Sequence, residues 1–199
     1  HTEECADVVW TAWNGTDDID YGESNTAYVY LTGDATRSSD LTVTDGTLNL
    51  CLNGKTLNTC ITVEGDSTLN ICDCRGGGAV TRKSDHVIYV RTVNESNVHT
   101  TLNLYGGKIT GSSNNFSNGM IELYNNDYGN AQTVAVFNMY GGEISGNNGN
   151  NYGGAIYRKF KTGVPNTTGG AFNMYGGTIK NNEAKNGGAF FSTTGGTVN

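Results

Sequence analysis

Four of the five cysteines, Cys51, Cys60, Cys72 and Cys74, fall within residues 51–74, and the fifth is Cys5. Such crowding suggests local cross-linking, which belongs to an oxidising compartment or an extracellular surface. Zinc is the competing use, but the Cys-x-Cys at 72–74 lacks a second ligand pair at zinc spacing. The nearest approach to a catalytic cluster is Arg82, Lys83, Asp85, His86 and Arg91, around "HVIYV". The simpler and preferred reading is a solvated corner with one surface histidine. His1, His86 and His99 are too dispersed for a triad or a metal site. Asp17, Asp18, Asp20 and Glu23 bring several oxygens together, as calcium requires. "DDIDYGE" matches no calcium loop, so solvated charge is the simpler reading. No catalytic residue, metal site or cofactor is assigned from these groups.

Whatever chemistry exists must be positioned by the repeats. "LNLYGG", "FNMYGG" and "FNMYGG" begin at 102, 137 and 172, an equal period of 35 residues. Shorter copies of the apolar-Asn-apolar core stand at Leu48-Asn49-Leu50 and Leu69-Asn70-Ile71. Variable loops between constant strands mark a solenoid. Side chains alternate along a strand, so Leu48, Leu69, Leu102, Phe137 and Phe172 form one inward column. Leu50, Ile71, Leu104, Met139 and Met174 form a second. Asn49, Asn70, Asn103, Asn138 and Asn173 point outward, followed by Cys51, Cys72, Tyr105, Tyr140 and Tyr175. After Gly-Gly comes a second strand centred on Ile109, Ile144 or Ile179. A third strand fits "HVIYV", "GMIEL", "GGAIY" and "GGAFF". Glycine and asparagine tolerate the left-handed backbone of the corners. Three short strands per turn predict an all-β fold, a parallel β-helix. Residues 1–23 lack the repeat and are expected to cap it, with Trp10 and Trp13 as a lid. Residues 24–199 form the solenoid. "GGTVN" stops partway into another copy, which suggests a monomeric piece of a longer chain, truncated at its C-terminal end.

Composition excludes some roles. Net charge is −7 and the 12 Lys and Arg are scattered, which argues against nucleic acid. No apolar run approaches the length of a membrane helix, so no membrane insertion is expected. Glycine is 29 of 199 residues and proline 1, a turn-rich β composition rather than a proline-rich linker.

"WTAW" (10–13), "YVYLTGD" (28–34), "LCLNGKTL" (50–57), "LNICDC" (69–74) and the "FNMYGGxI" repeats resemble large cell-surface proteins of gut Firmicutes. Those proteins are adhesin-like, with a pectate-lyase-like right-handed β-helix, which implies the right-handed form of the parallel β-helix here. The resemblance implies secretion or cell-wall attachment, hence an extracellular location. It also implies that the cysteines of "LCLNG" and "LNICDC" pair. With the strand register, that places Cys51 beside Cys72 and leaves Cys60 and Cys74 as a second candidate pair, one of three possible connectivities.

Many β-helices are polysaccharide lyases or hydrolases. The paired aspartates, Gly-His-Gly and Arg-Ile-Lys of galacturonan hydrolases are missing from these rungs. The expectation is therefore a non-catalytic binding module for a host protein, an immunoglobulin being one example, or a glycan. The alternatives are a carbohydrate-active enzyme and a structural stalk. Tyr105, Tyr140 and Tyr175 would line up at rung spacing beside the asparagines, a composition suited to adaptable recognition. The corner "RKFKTGVPNTT" gathers Arg158, Lys159, Phe160 and Lys161, a basic and aromatic cluster that suits an acidic partner.

Overall fold

Alternating apolar residues drive the chain into short strands, and the Gly- and Asn-bearing corners turn it three times per rung. The computed structural model describes residues 8–82, 86–92, 98–111, 119–125, 134–160 and 170–193, and of Phe160 the backbone alone. Among them β1 (Thr11–Trp13) precedes six rungs. The rungs are β2 (Thr26–Leu31), β3 (Ala35–Thr36) and β4 (Leu41–Thr44); β5 (Thr47–Cys51), β6 (Thr56–Asn58) and β7 (Ile61–Glu64); β8 (Thr68–Cys72), β9 (Ala79–Thr81) and β10 (Ile88–Arg91); and β11 (His99–Leu104), β12 (Lys108–Thr110) and β13 (Ile121–Asn125). The last two are β14 (Val134–Met139), β15 (Glu143–Ser145) and β17 (Ile156–Phe160), then β18 (Ala171–Met174), β19 (Thr178–Lys180) and β21 (Phe190–Ser192). Each of these carries an extra strand, β16 (Asn148–Tyr152) and β20 (Glu183–Asn186).

First strands pair with first strands, second with second and third with third, always parallel. This gives a seven-stranded sheet, here sheet A (β1-β2-β5-β8-β11-β14-β18), and two six-stranded sheets, B and C. The chain is a right-handed parallel β-helix. Strand β1 lies within the expected cap and extends sheet A by pairing with β2.

The inward columns follow the register. Leu48, Leu69, Leu102, Phe137 and Phe172 are matched in sequence, as are Leu50, Ile71, Leu104, Met139 and Met174. All are buried except Met174, on the last of the six rungs. Sheet B contributes Leu57, Val80, Ile109 and Ile144 to the same core. Sheet C contributes Val43, Val63, Val90 and Leu123. Trp13 is buried against this core at its first rung, and Trp10 meets Tyr28 edge-on at 5.5 Å. Burial of such side chains is worth roughly 1.5–3 kcal/mol each.

The repeated hexamer has a physical reading at every position. Phe and Met fill the core. The Asn amides form a ladder: Asn70 donates to Asn49, Asn103 to Asn70, Asn138 to Asn103 and Asn173 to Asn138, at 2.8–2.9 Å. The second glycine of each corner, Gly107, Gly142 or Gly177, holds a left-handed φ of 85°, 78° or 86°. In the two later corners the first has no room for a side chain: a Cβ on Gly176 would come within 2.5 Å of the Tyr140 carbonyl oxygen, and one on Gly141 would collide with that of Tyr105. The tyrosine stacks on its counterparts in the neighbouring rungs while remaining exposed.

Candidate binding face

The tyrosines stand where sheet A turns into sheet B. Tyr105 and Tyr140 stack with centroids 4.9 Å apart and planes within 7°. Tyr140 and Tyr175 repeat this at 5.0 Å and 11°. All three are exposed, at 52%, 44% and 66%. The middle ring is the least exposed because it has a neighbour on each face. That corrects the simplest picture of an aromatic strip: the inner ring offers solvent its edge and hydroxyl rather than a flat face for a sugar. Burial and its neighbour Tyr140 push the Tyr105 phenol up, so it stays a neutral donor. The row is thus a set of phenol tips at fixed pitch, anchored by stacking worth roughly 0.5–1.5 kcal/mol per pair.

On the sheet B side the row is bordered by charge. Lys108 Nζ lies 3.3 Å from Glu143 Oε1, and Lys180 Nζ lies 2.7 Å from Glu143 Oε2. The ammonium of Lys180, then the Ser145 hydroxyl, hold the Glu143 carboxyl down at about 2. The Glu143 carboxylate also accepts from Ser145 Oγ at 2.5 Å.

The basic and aromatic cluster of 158–161 does not assemble as expected. Arg158 is paired with Leu123, the successor of Val90 and Val63 in an inward column of sheet C. It is 1% exposed, and burial pulls its guanidinium down from the usual range. The reason is that β17 continues through residue 160, where a loop was expected, so alternation sends Arg158 inward and Lys159 outward. Arg158 therefore leaves the list of surface groups. Lys159 is half-buried, with Nζ 5.2 Å from the centre of the Tyr124 ring, a cation–π contact on sheet C. Lys161 and the side chain of Phe160 lie outside the described residues.

The described groups of the supposed catalytic cluster lie on or just before sheet C, Arg82 in the corner after β9, and they are engaged in separate pairs. Arg82 bonds Asp40 at 2.6 Å. Arg91 Nε bonds Glu64 at 2.6 Å, with its guanidinium 5.4 Å from the Tyr89 ring centre. His86 Nδ1 faces the Gly119 carbonyl oxygen at 2.8 Å, and its Nε2 lies 3.2 Å from Glu122 Oε2. Glu122 is 2% exposed. Burial, then the Glu122 charge, push the nearby Tyr89 phenol up to about 12. Sequence reasoning missed Glu122, because an inner-strand position gives no sign that a carboxylate will face a histidine one rung below. Lys83 and Asp85 lie outside the described residues.

The sulfurs fall elsewhere. Cys51 and Cys72 are matched in register, as expected. Cys74 is not beside Cys60: its Sγ lies 3.2 Å from Cys51 Sγ. Residues 72 and 74 project to the same side, next to Cys51. Cys60 is buried beyond the far end of β6, across sheet B. The pairing of Cys60 with Cys74 is therefore replaced by a cluster of Cys51, Cys72 and Cys74. Cys5 lies outside the described residues. Among the described residues no group of three or more His, Cys, Asp or Glu is arranged to hold a metal ion. No described helix is long and apolar enough to cross a membrane. A half-open hollow of about 620 Å³ lies at the N-terminal end, beside Trp13, Asp17, Asp18 and Tyr28.

No family model, curated protein or solved structure matches the chain.

Proposed function

We propose that this β-helix is a non-catalytic recognition module, displayed at a bacterial cell surface or secreted, that binds a host protein or glycan through the Tyr105–Tyr140–Tyr175 row. The observation that carries this reading is the row itself: three stacked, exposed phenols, with 44% exposure even at the centre. Large aromatics left open on a rigid scaffold are what recognition surfaces use, because little side-chain entropy remains to be lost on binding. Here the side chains are already held by their stacked neighbours and by paired strands, β11 and β14 having a hydrogen-bonded strand on each side and β18 on one. A host immunoglobulin is one partner of suitable chemistry, since protein surfaces accept phenol tips as hydrogen-bond donors. A glycan lying along the helix axis would meet one hydroxyl per rung. The resemblance to adhesin-like surface proteins supports the extracellular setting, and the net charge of −7 disfavours nucleic acid.

The test is binding of the purified chain to a panel of host glycans, mucins and immunoglobulins, with Tyr140→Ala and Lys159→Ala beside it. Saturable binding weakened by Tyr140→Ala and unchanged by Lys159→Ala supports the row. The reverse pattern moves the site to sheet C. Binding to nothing, by folded protein, favours a structural stalk. Release of reducing ends from a polysaccharide favours an enzyme.

A further inference from the structure

A second site lies in the same outward column, two rungs earlier. Tyr30, Cys51 and Cys72 are matched in register, and Tyr105 takes the next place, its N–H donating to the carbonyl of Ile71. Cys51 is fully buried. Cys74 is exposed, sits in the corner after β8, and reaches Asn53 Oδ1 at 3.7 Å. Cys51 and Cys74 are thiols whose sulfurs approach to 3.2 Å. A disulfide requires about 2 Å, so a small side-chain rotation separates the contact from a bond. Hydrogen bonding, first from Cys72, holds the Cys51 thiol well below its ordinary range. Burial, then Cys51, push the Cys74 thiol up. Cys51 is thus the better thiolate but out of reach of a large reagent, whereas Cys74 is accessible.

We propose that Cys74 and Cys51 form a thiol–disulfide exchange site in which Cys74 captures an external small-molecule disulfide and Cys51 resolves it. In the first step the Cys74 thiolate attacks one sulfur of R–S–S–R, forming Cys74–S–S–R and expelling RS⁻. In the second, the Cys51 thiolate attacks Cys74 Sγ, forming the Cys51–Cys74 bond and expelling the second RS⁻. The two cysteine protons end on the two leaving thiols. Two cysteine thiols are oxidised and one external disulfide is reduced to 2 RSH. The buried position of Cys51 makes the order obligatory, and its contact with Cys74 makes the second step local. Cys72 acts as a positioning residue, its S–H favouring the Cys51 thiolate.

The experiment uses the full chain, reduced, freed of reductant, and treated with oxidised glutathione. The reaction is stopped by alkylation, and the unreduced digest is mapped by mass spectrometry. Wild type should yield a Cys51–Cys74 link with little glutathione retained on Cys74. Cys51→Ser should stop at the glutathione adduct of Cys74, with at least tenfold more adduct than wild type. Cys74→Ser should leave Cys51 unmodified over the same time. Capture should speed up as pH rises, because Cys74 must first lose its proton. A wild-type link of Cys51 to Cys72 or of Cys60 to Cys74, a stable adduct on wild-type Cys74, or no reaction at Cys74 would overturn the proposal. The wild-type map alone decides the connectivity, even if a variant folds poorly.

Discussion

One column of one sheet carries two different surfaces. In its N-terminal part the outward position after the asparagine is Cys51 or Cys72, and in its C-terminal part it is Tyr105, Tyr140 or Tyr175. The backbone slot is the same, and the corner that follows is not. After Cys51 comes Leu52, fully buried, and then Asn53-Gly54 in left-handed conformation. Asp73 ties this corner to the next, accepting from the N–H groups of Gly54 and Gly78 at 2.7 Å. The sulfur of Cys51 has Cys72 and Cys74 beside it, whereas each tyrosine is followed by Gly-Gly and stacks on rings of its own kind. The asparagine ladder shows the rung length changing over the same stretch, from 21 residues to 33 and then 35. The outward residue changes from cysteine to tyrosine where the corner changes from Leu52-Asn53-Gly54 and Asp73-Cys74-Arg75 to Gly-Gly.

The largest effect should come from turning the comparison inside out. Phe137→Ala, on the core face of the strand bearing Tyr140, should cost about 3–5 kcal/mol in urea unfolding followed by circular dichroism. Exchanging the two outward types tests how different the two slots are. Cys51→Tyr, at a fully buried position, should cost about 1–3 kcal/mol through overpacking, and Tyr140→Cys should cost about 1–3 kcal/mol through the loss of two stacking contacts. Wild-type stability of Cys51→Tyr would mean that the Cys51 slot has room for a ring. Asn138→Ala removes the link between Asn103 and Asn173. At about 0.5–1.5 kcal/mol per hydrogen bond, it should lower the unfolding midpoint modestly and loosen the tyrosines above and below. The smallest effect is electrostatic. Glu143 titrates at about 2 in the fold against an ordinary 4.5, so its contribution is complete above pH 4.5 and disappears as pH falls towards 2. Glu143→Gln should flatten that arm of the pH–stability curve slightly, and salt should shrink the difference, since the group is at the surface.

The sequence made the rungs legible because their signal is local: apolar alternation, one asparagine and two glycines at a fixed period. That placed both inward columns, the asparagine ladder and the tyrosine row. The third strand was also found, but its length was not. The basic residues of 158–161 read as a corner, and Arg158 proved to be a buried strand residue. Nothing in a one-dimensional pattern says that a guanidinium will occupy a slot filled by Val63, Val90 and Leu123 in the rungs below. The sulfurs were legible in part: Cys72 stands beside Cys51 as expected, but Cys74 does not stand beside Cys60. Register alone favours Cys51 with Cys72, but the contact between Cys51 and Cys74 depends on how the chain turns after β8. The His86–Glu122 contact depends on the stacking of rungs whose residues are 36 apart in sequence.

The most direct test of the recognition surface is nuclear magnetic resonance of the chain labelled at its tyrosine rings, titrated with whichever member of the panel binds. The account predicts that the resonances of Tyr105, Tyr140 and Tyr175 shift together and saturate at one ligand concentration, while Tyr89, Tyr124 and Tyr157 on sheet C stay in place. Saturable shifts at the sheet C tyrosines, with the row unmoved, would contradict it.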